Sequence, residues 1–303
     1  MTHALLAIDP LMMVLLIALV GLIARRAGLL SDPLIQGIAQ LILYVAQPAL
    51  MLTLIRQESA AGGEAATFLT VFVVTAVFLS AVQLLLHRLF RRAERRVRPV
   101  MTSLSVMANV GFIGVPVVQA VYGQEAFLYL AAVILGFNLS FWTVTLRLYA
   151  GKGRNSWKNL LNPTLLSVLL GAALFFLKVR LPGTLAGGIA QISALNTPLS
   201  MLLLGARLET LRPRQLLDKR MWLVVALKLL VLPLMLVALL KAVNLQGMAL
   251  GTLALGMAMP AGTNSQMFAE RYDADVPFAV QCISVSTLLC VVTMPVILWA
   301  TGI

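Results

Sequence analysis

Two short stretches of this 303-residue chain carry residue types that a lipid-facing helix avoids. Residues 109–116 read NVGFIGVP, and residues 259–266 read MPAGTNSQ. The first brings together Asn109, Gly111, Gly114 and Pro116; the second brings together Pro260, Gly262, Thr263 and Asn264. Asn carries an amide that needs partners, Gly loosens a helix, and Pro deletes a hydrogen bond and clashes with the preceding turn. Such residues predict interrupted helices. At bilayer depth the freed backbone groups are tolerated only where they are buried in protein or line a cavity. The restarted helix presents N–H groups with partial positive charge, which suits an anion. Gly111, Gly114 and Gly262 let a ligand or a neighbouring backbone approach closely, while Asn109 and Asn264 supply neutral donors and acceptors. The same residues also fit duller roles, the amides as interhelical hydrogen bonds and the glycines as packing positions. Gln47, before Pro48, faces either a cavity or a helix partner. Thr263 and Ser265 either cap a helix start or touch the ligand.

Lys228 is the other candidate. It lies in KLLVLP, seven residues past Met221, hence about 10 Å along a helix and well inside an apolar run. A charge at the centre of a membrane helix costs roughly 2.5 to 3.5 kcal/mol on insertion scales, so a partner is expected. Three arrangements answer that expectation: the side chain snorkels to the headgroups, it meets the negative C-terminal ends of the interrupted helices, or it meets a substrate carboxylate.

The elements that would hold these residues are membrane helices. The chain is 60% hydrophobic and 11% charged, with a mean hydropathy of +0.96. A soluble domain carries about a quarter charged residues. Ten apolar stretches stand out, at about 10–27, 34–55, 66–87, 100–122, 126–149, 163–180, 184–206, 221–241, 247–268 and 276–300. They are unbroken runs rather than short alternating segments, so the expected fold is an all-α integral membrane protein with ten transmembrane helices. The net charge of +12 does not indicate nucleic acid, because it sits in short loops. With the N-terminus outside, the loops around residues 25–26, 88–98, 147–158, 207–220 and 271 hold eighteen of the 23 Lys and Arg. Only Arg56, Lys178, Arg180 and Lys241 fall on the opposite side. That asymmetry, with an even number of spans, puts both termini outside; the expected location is a plasma membrane, of the bacterial inner-membrane type.

An odd number of spans per half inverts the second half relative to the first. Residues 1–149 and 163–303 then form two inverted five-helix repeats, joined by a linker over 150–162. Pro48 and Pro198 fall in the corresponding second and seventh spans, and Pro116 and Pro260 in the fourth and ninth. Paired interruptions at corresponding positions of inverted halves point to a secondary-transporter site.

NVGFIGVPVVQAVYG, NTPLSMLLLGARL, LKLLVLPLML and MPAGTNSQMFAERYDAD, in that order along the chain, resemble the auxin efflux carrier family of membrane transporters. The short central loop around GKGRNSW is similar to that of its prokaryotic members. The resemblance implies a fold like that of sodium/proton antiporters and bile-acid symporters. Spans four and nine would unwind and cross, spans one, two, six and seven would form a scaffold, and spans three to five and eight to ten a transport core. It also implies small organic anions as substrates, auxin-like or malonate- and malate-like. A homodimer through the scaffold helices is the expected assembly in the lipid bilayer.

Absences shape the function as well. All eleven acidic residues fall in loops or at span ends, which disfavours direct cation exchange through a core carboxylate and leaves any coupling ion open. The rival class is an intramembrane enzyme. The chain contains no HExxH, no paired intramembrane Asp, no P-loop and no Cys/His cluster, although a Ser/Lys dyad involving Lys228 remains formally available. No cofactor is expected.

Overall fold

The structure is a computed structural model that describes residues 8–55, 64–151, 163–177, 179, 181–209, 217–242 and 244–301. Linker residues 152–162 and the cations Arg56, Lys178 and Arg180 lie outside this set. The described residues are mostly helical and form no strand, and their one β feature is an isolated antiparallel bridge between Ala108 and Ala261. In chain order the α-helices are α1 (Ile8–Arg26), α2 (Asp32–Leu41), α3 (Gln47–Ile55), α4 (Glu64–Leu89), α5 (Arg98–Val106), α6 (Val115–Tyr122), α7 (Phe127–Ser140) and α8 (Leu146–Ala150). They continue as α9 (Pro163–Phe176), α10 (Gly183–Ala194), α11 (Asn196–Leu208), α12 (Lys219–Ala226), α13 (Leu232–Ala242), α14 (Gly247–Ala258), α15 (Asn264–Arg271) and α16 (Val276–Thr301).

Among the described residues, six helical runs are long and apolar enough to cross a membrane: Asp32–Thr53, Ala66–Arg92, Phe127–Ala150, Gly183–Leu208, Lys219–Ala242 and Val276–Ala300. Elsewhere the ten expected segments take other forms. The fourth and ninth are each two shorter helices around a break, and α9 has only 14 residues. Large apolar side chains such as Leu16, Val77, Val292 and Trp299 stand exposed on the outer helix faces, Trp299 to 76%. Water would penalise such a surface, whereas lipid tails accept it.

Four π turns interrupt the helices, and three share one cause. Residues 42–46, 110–114 and 227–231 each precede one residue and then a Pro: Pro48, Pro116 and Pro233. A Pro lacks its N–H and crowds the carbonyl four residues back; widening the turn moves that carbonyl aside. The amides of Gln47, Val115 and Leu232 accordingly reach back five residues, to Ile42, Val110 and Leu227.

Packing brings α1 against α11, and α3 against α9 and α10. At the α1–α11 contact the backbones nearly touch. A Cβ on Gly205 would lie 1.7 Å from the Ala18 carbonyl oxygen, so only Gly is admitted there. A second group forms as α4 packs on α7, α14 on α7, α13 and α16, and α12 and α15 on α5 and α16. Ion pairs gather at one end of the bundle. Arg25 pairs with Asp32 at 2.7 Å and Glu209 at 3.1 Å, Arg207 with Glu270 at 3.1 Å, and Arg96 with Asp273. This is the end where Arg25, Arg26 and Arg271 and the described residues of the loops around 88–98 and 207–220 fall.

Candidate functional site at the crossed breaks

The two interruptions have different local causes. Helix α14 ends at Ala258, and Met259 turns extended with ψ 150°, as the residue before a Pro is driven to do. Helix α5 ends nine residues before Pro116 would require it. There Met107 is extended with ψ 123°, and Asn109 has φ −83° and ψ 56°. Pro116 therefore does not make the break in span four; it lies in the first turn of α6, behind the π turn. No Pro acts on Met107, and the break is held from outside by its partner strand.

That partner is the break in span nine. The Asn109 N–H donates to the Pro260 carbonyl at 2.8 Å, and the Gly262 N–H donates to the Met107 carbonyl at 2.9 Å. Two extended stretches thus pair antiparallel, each satisfying backbone groups the other would leave bare. The Ala261 N–H donates to Ser286 Oγ at 3.1 Å, tying the crossing to α16. Proximity favours Gly at 262: a Cβ there would sit 3.2 Å from the Ala108 oxygen, a tight contact that a small shift would have to relieve.

Where α5 and α14 end, their last carbonyls need donors. Lys228, fully buried on the π turn of span eight, supplies them: Nζ donates to Met257 O at 2.9 Å and to Val106 O at 3.3 Å. Of the arrangements open in the sequence, it adopts the helix-end one, for it does not snorkel and does not line the cavity described next. Among the described residues its hydrogen bonds go to these two carbonyls and not to a Ser. It is also the one charged side chain among the buried polar residues described.

Beside the crossing lies a cavity of about 480 Å³ including its open mouth. Its polar wall groups are Gln47, Asn109, Asn138, Thr263 and Asn264; Gly111 and Gly262 open its backbone, and Ile134, Phe137 and Phe141 form an apolar side. Among the described residues no charged side chain lines it. Gln47 Oε1 and Asn264 Oδ1 are buried without a hydrogen-bond partner. An amide can turn over to offer acceptor or donors, so both are equipped to meet a polar ligand. The 110–114 turn and α15 both start at this wall, at Val110 and at Asn264.

Six of the candidates named from sequence therefore meet at one cavity: Gln47, Asn109, Gly111, Gly262, Thr263 and Asn264. Gly114, Pro260 and Lys228 lie outside its lining, and the Pro116 side chain lies outside the described set. Gly114 packs on Val110 and Met259, and Pro260 contributes its carbonyl to the crossing. Sequence reading missed Asn138, a buried amide in the apolar run of α7, detectable as the one amide of that helix. It also missed Asn196, which is fully buried and donates from Nδ2 to the Gly111 carbonyl at 3.3 Å.

The geometry agrees with what the chain is related to. A profile of the membrane transport protein family matches residues 6–157 and 153–298. An uncharacterized transporter of Methanothermobacter thermautotrophicus is 26% identical over 298 residues, covering 96% of this chain and 97% of that protein. An uncharacterized transporter of Methanocaldococcus jannaschii is 24% identical over 297 residues, covering 92% and 94%. With nearly the whole length matched, the chain belongs to the membrane transport protein family, that of the auxin efflux carriers.

Proposed function

We propose that this protein is a secondary-type transporter of small organic anions, carboxylates that are auxin-like or malonate- and malate-like. They bind at the crossing of spans four and nine and pass by alternating access. One observation carries this reading. Two antiparallel interrupted helices, pinned to each other at Ala108 and Ala261, both restart beside the cavity walled by neutral amides. Helix starts attract a carboxylate, and amides hydrogen-bond it without holding it permanently by charge. A site that must also release its ligand gains from that neutrality.

In this reading all ten segments cross the bilayer as two inverted halves, 1–149 and 163–303, with both ends outside a bacterial inner membrane. The group built on α1, α3 and α9 to α11 stays fixed and forms the homodimer contact, while the group around the crossing moves. Uptake of labelled malonate and indole-3-acetate into proteoliposomes tests the proposal. Saturable uptake of at least one supports it, and uptake of neither above protein-free vesicles overturns it.

A further inference from the structure

A second cavity, of about 440 Å³ including its mouth, shares Thr263 and Asn264 with the first. Its other walls come from Ala39 and Ile42 of span two, from Ser200 and Arg207 of α11, and from Gln266 of α15. Among the described residues, Arg207 is the one charged side chain lining either cavity. Its Nη1 donates to Glu270 Oε1 at 3.1 Å, and Gln266 Nε2 donates to the same oxygen at 2.8 Å. The Arg207 side chain is 21% exposed and that of Glu270 39%.

We infer that Arg207 is a second carboxylate-binding site, at the mouth facing the basic loops, and that Glu270 occupies it until a substrate carboxylate takes its place. This deepens the transport reading and rests on it. An anion moving between the crossing and this mouth passes Thr263 and Asn264, which face both cavities, and then meets one fixed positive charge. The guanidinium fork matches a carboxylate better than any other side chain does. Glu270 shows that a carboxylate fits there, with Gln266 as a neutral second donor.

Exchange is also cheap. A partly exposed ion pair has little net worth, so one carboxylate replaces another with small loss. Glu270 sits in the last turn of α15 and can turn to water. The neighbouring acids Asp32 and Glu209 are both held by Arg25. Because Arg207 is on α11 and Glu270 on α15, a ligand that displaces Glu270 also unties these two elements. Binding at this mouth and movement of α15 against α11 are then one event.

The test uses the full chain in nanodiscs for binding and in proteoliposomes for uptake, with malonate and indole-3-acetate as probes. Glu270→Gln removes the internal competitor and is expected to tighten the apparent affinity several-fold. Arg207→Gln is expected to weaken it by about tenfold or more, and Arg207→Lys by less. The exchange Arg207→Glu with Glu270→Arg separates a binding site from a simple latch: a latch is restored to parent behaviour, whereas a binding site stays impaired. Parent affinity in both Arg207→Gln and Glu270→Gln, or full restoration by the exchange, overturns the inference and leaves carboxylate transport standing. A parent that neither binds nor carries either probe overturns the transport reading, and the Arg207 site with it.

Discussion

The backbone N–H of Asn109 reaches the carbonyl of Pro260 at 2.8 Å, joining one interrupted helix to the other at the point where each is weakest. Pairing of this kind makes the breaks mutually dependent. The extended stretch at Met107 has no Pro of its own and keeps its shape through Pro260 and Gly262.

Gly262 is the position most sensitive to that dependence. A Cβ would approach the Ala108 oxygen to 3.2 Å, so Gly262→Ala demands a shift of a few tenths of an ångström and Gly262→Val considerably more. Overpacking of this kind costs about 1–3 kcal/mol. Thermal unfolding in detergent is expected to show a small loss for Ala and a larger one for Val, with uptake falling in the same order. A Val variant as stable and active as the parent contradicts the close crossing.

Asn109→Ala, Asn138→Ala and Asn264→Ala each remove one amide from the cavity wall while leaving the backbone pairing in place. One hydrogen bond to a charged ligand is worth about 1.5–3 kcal/mol, so each variant is expected to weaken carboxylate binding by about tenfold or more. Binding isotherms on the purified variants check this. Parent affinity in all three makes the amides structural groups only.

Sidedness is tested by labelling. A cysteine placed near Arg95 is expected to be shielded from an impermeant thiol reagent added outside intact cells, and one placed after Ile303 to react. Reaction of both from outside contradicts the arrangement with both ends out and the basic loops in.

Sequence reading reached the crossing because Asn109, Gly262 and Asn264 are chemically out of place in an apolar run. Pro260 likewise marked its own break, since a Pro acts on the residue beside it. Pro116 misled, because a π turn absorbs a Pro inside a helix, and nothing in the local sequence distinguishes absorption from interruption. Asn196 was legible as an amide but not as a neighbour of Gly111; that contact depends on how α11 packs, a long-range fact. The partners of Lys228 were open for the same reason, since Val106 and Met257 come from two other spans.

Asp218 lies just outside the spans and caps α12: Oδ1 accepts from the Arg220 N–H at 2.8 Å, and Oδ2 from Arg220 Nη2 at 2.9 Å. The hydrogen bond from the Arg220 side chain is the largest influence and lowers the pKa of this carboxyl. A lowered folded-state pKa means the cap contributes fully above the unfolded carboxylate range, about pH 4, and is lost as pH falls through the folded value. Asp218→Ala is therefore expected to cost about 1 kcal/mol at neutral pH. The difference from the parent should shrink on acidification below about pH 4. Unfolding curves at several pH values decide it; a difference that grows toward acid reverses the sign and contradicts the cap.

Lys228 is the residue on which the crossing leans from below. Its ammonium is fully buried and donates to the last carbonyls of two helices from different spans, Met257 O at 2.9 Å and Val106 O at 3.3 Å. Each helix end carries about half a negative charge, so one ammonium between two ends is close to electrically balanced. Lys228→Met keeps the length and removes the charge. Two opposing effects follow: each carbonyl left without its donor costs about 1–3 kcal/mol, while loss of a buried charge relieves a desolvation penalty of several kcal/mol. The two are of similar size, so the variant is expected to fold and insert. Its balance of charge is gone, however. The uncompensated negative helix ends then lie beside a site that must receive an anion, and uptake is expected to be abolished. Lys228→Arg keeps the charge and can still reach both carbonyls, so partial uptake is expected. Uptake by proteoliposomes, with thermal unfolding to confirm the fold, measures both. Normal uptake by a well-folded Lys228→Met variant shows that the ammonium seals the helix ends without serving transport.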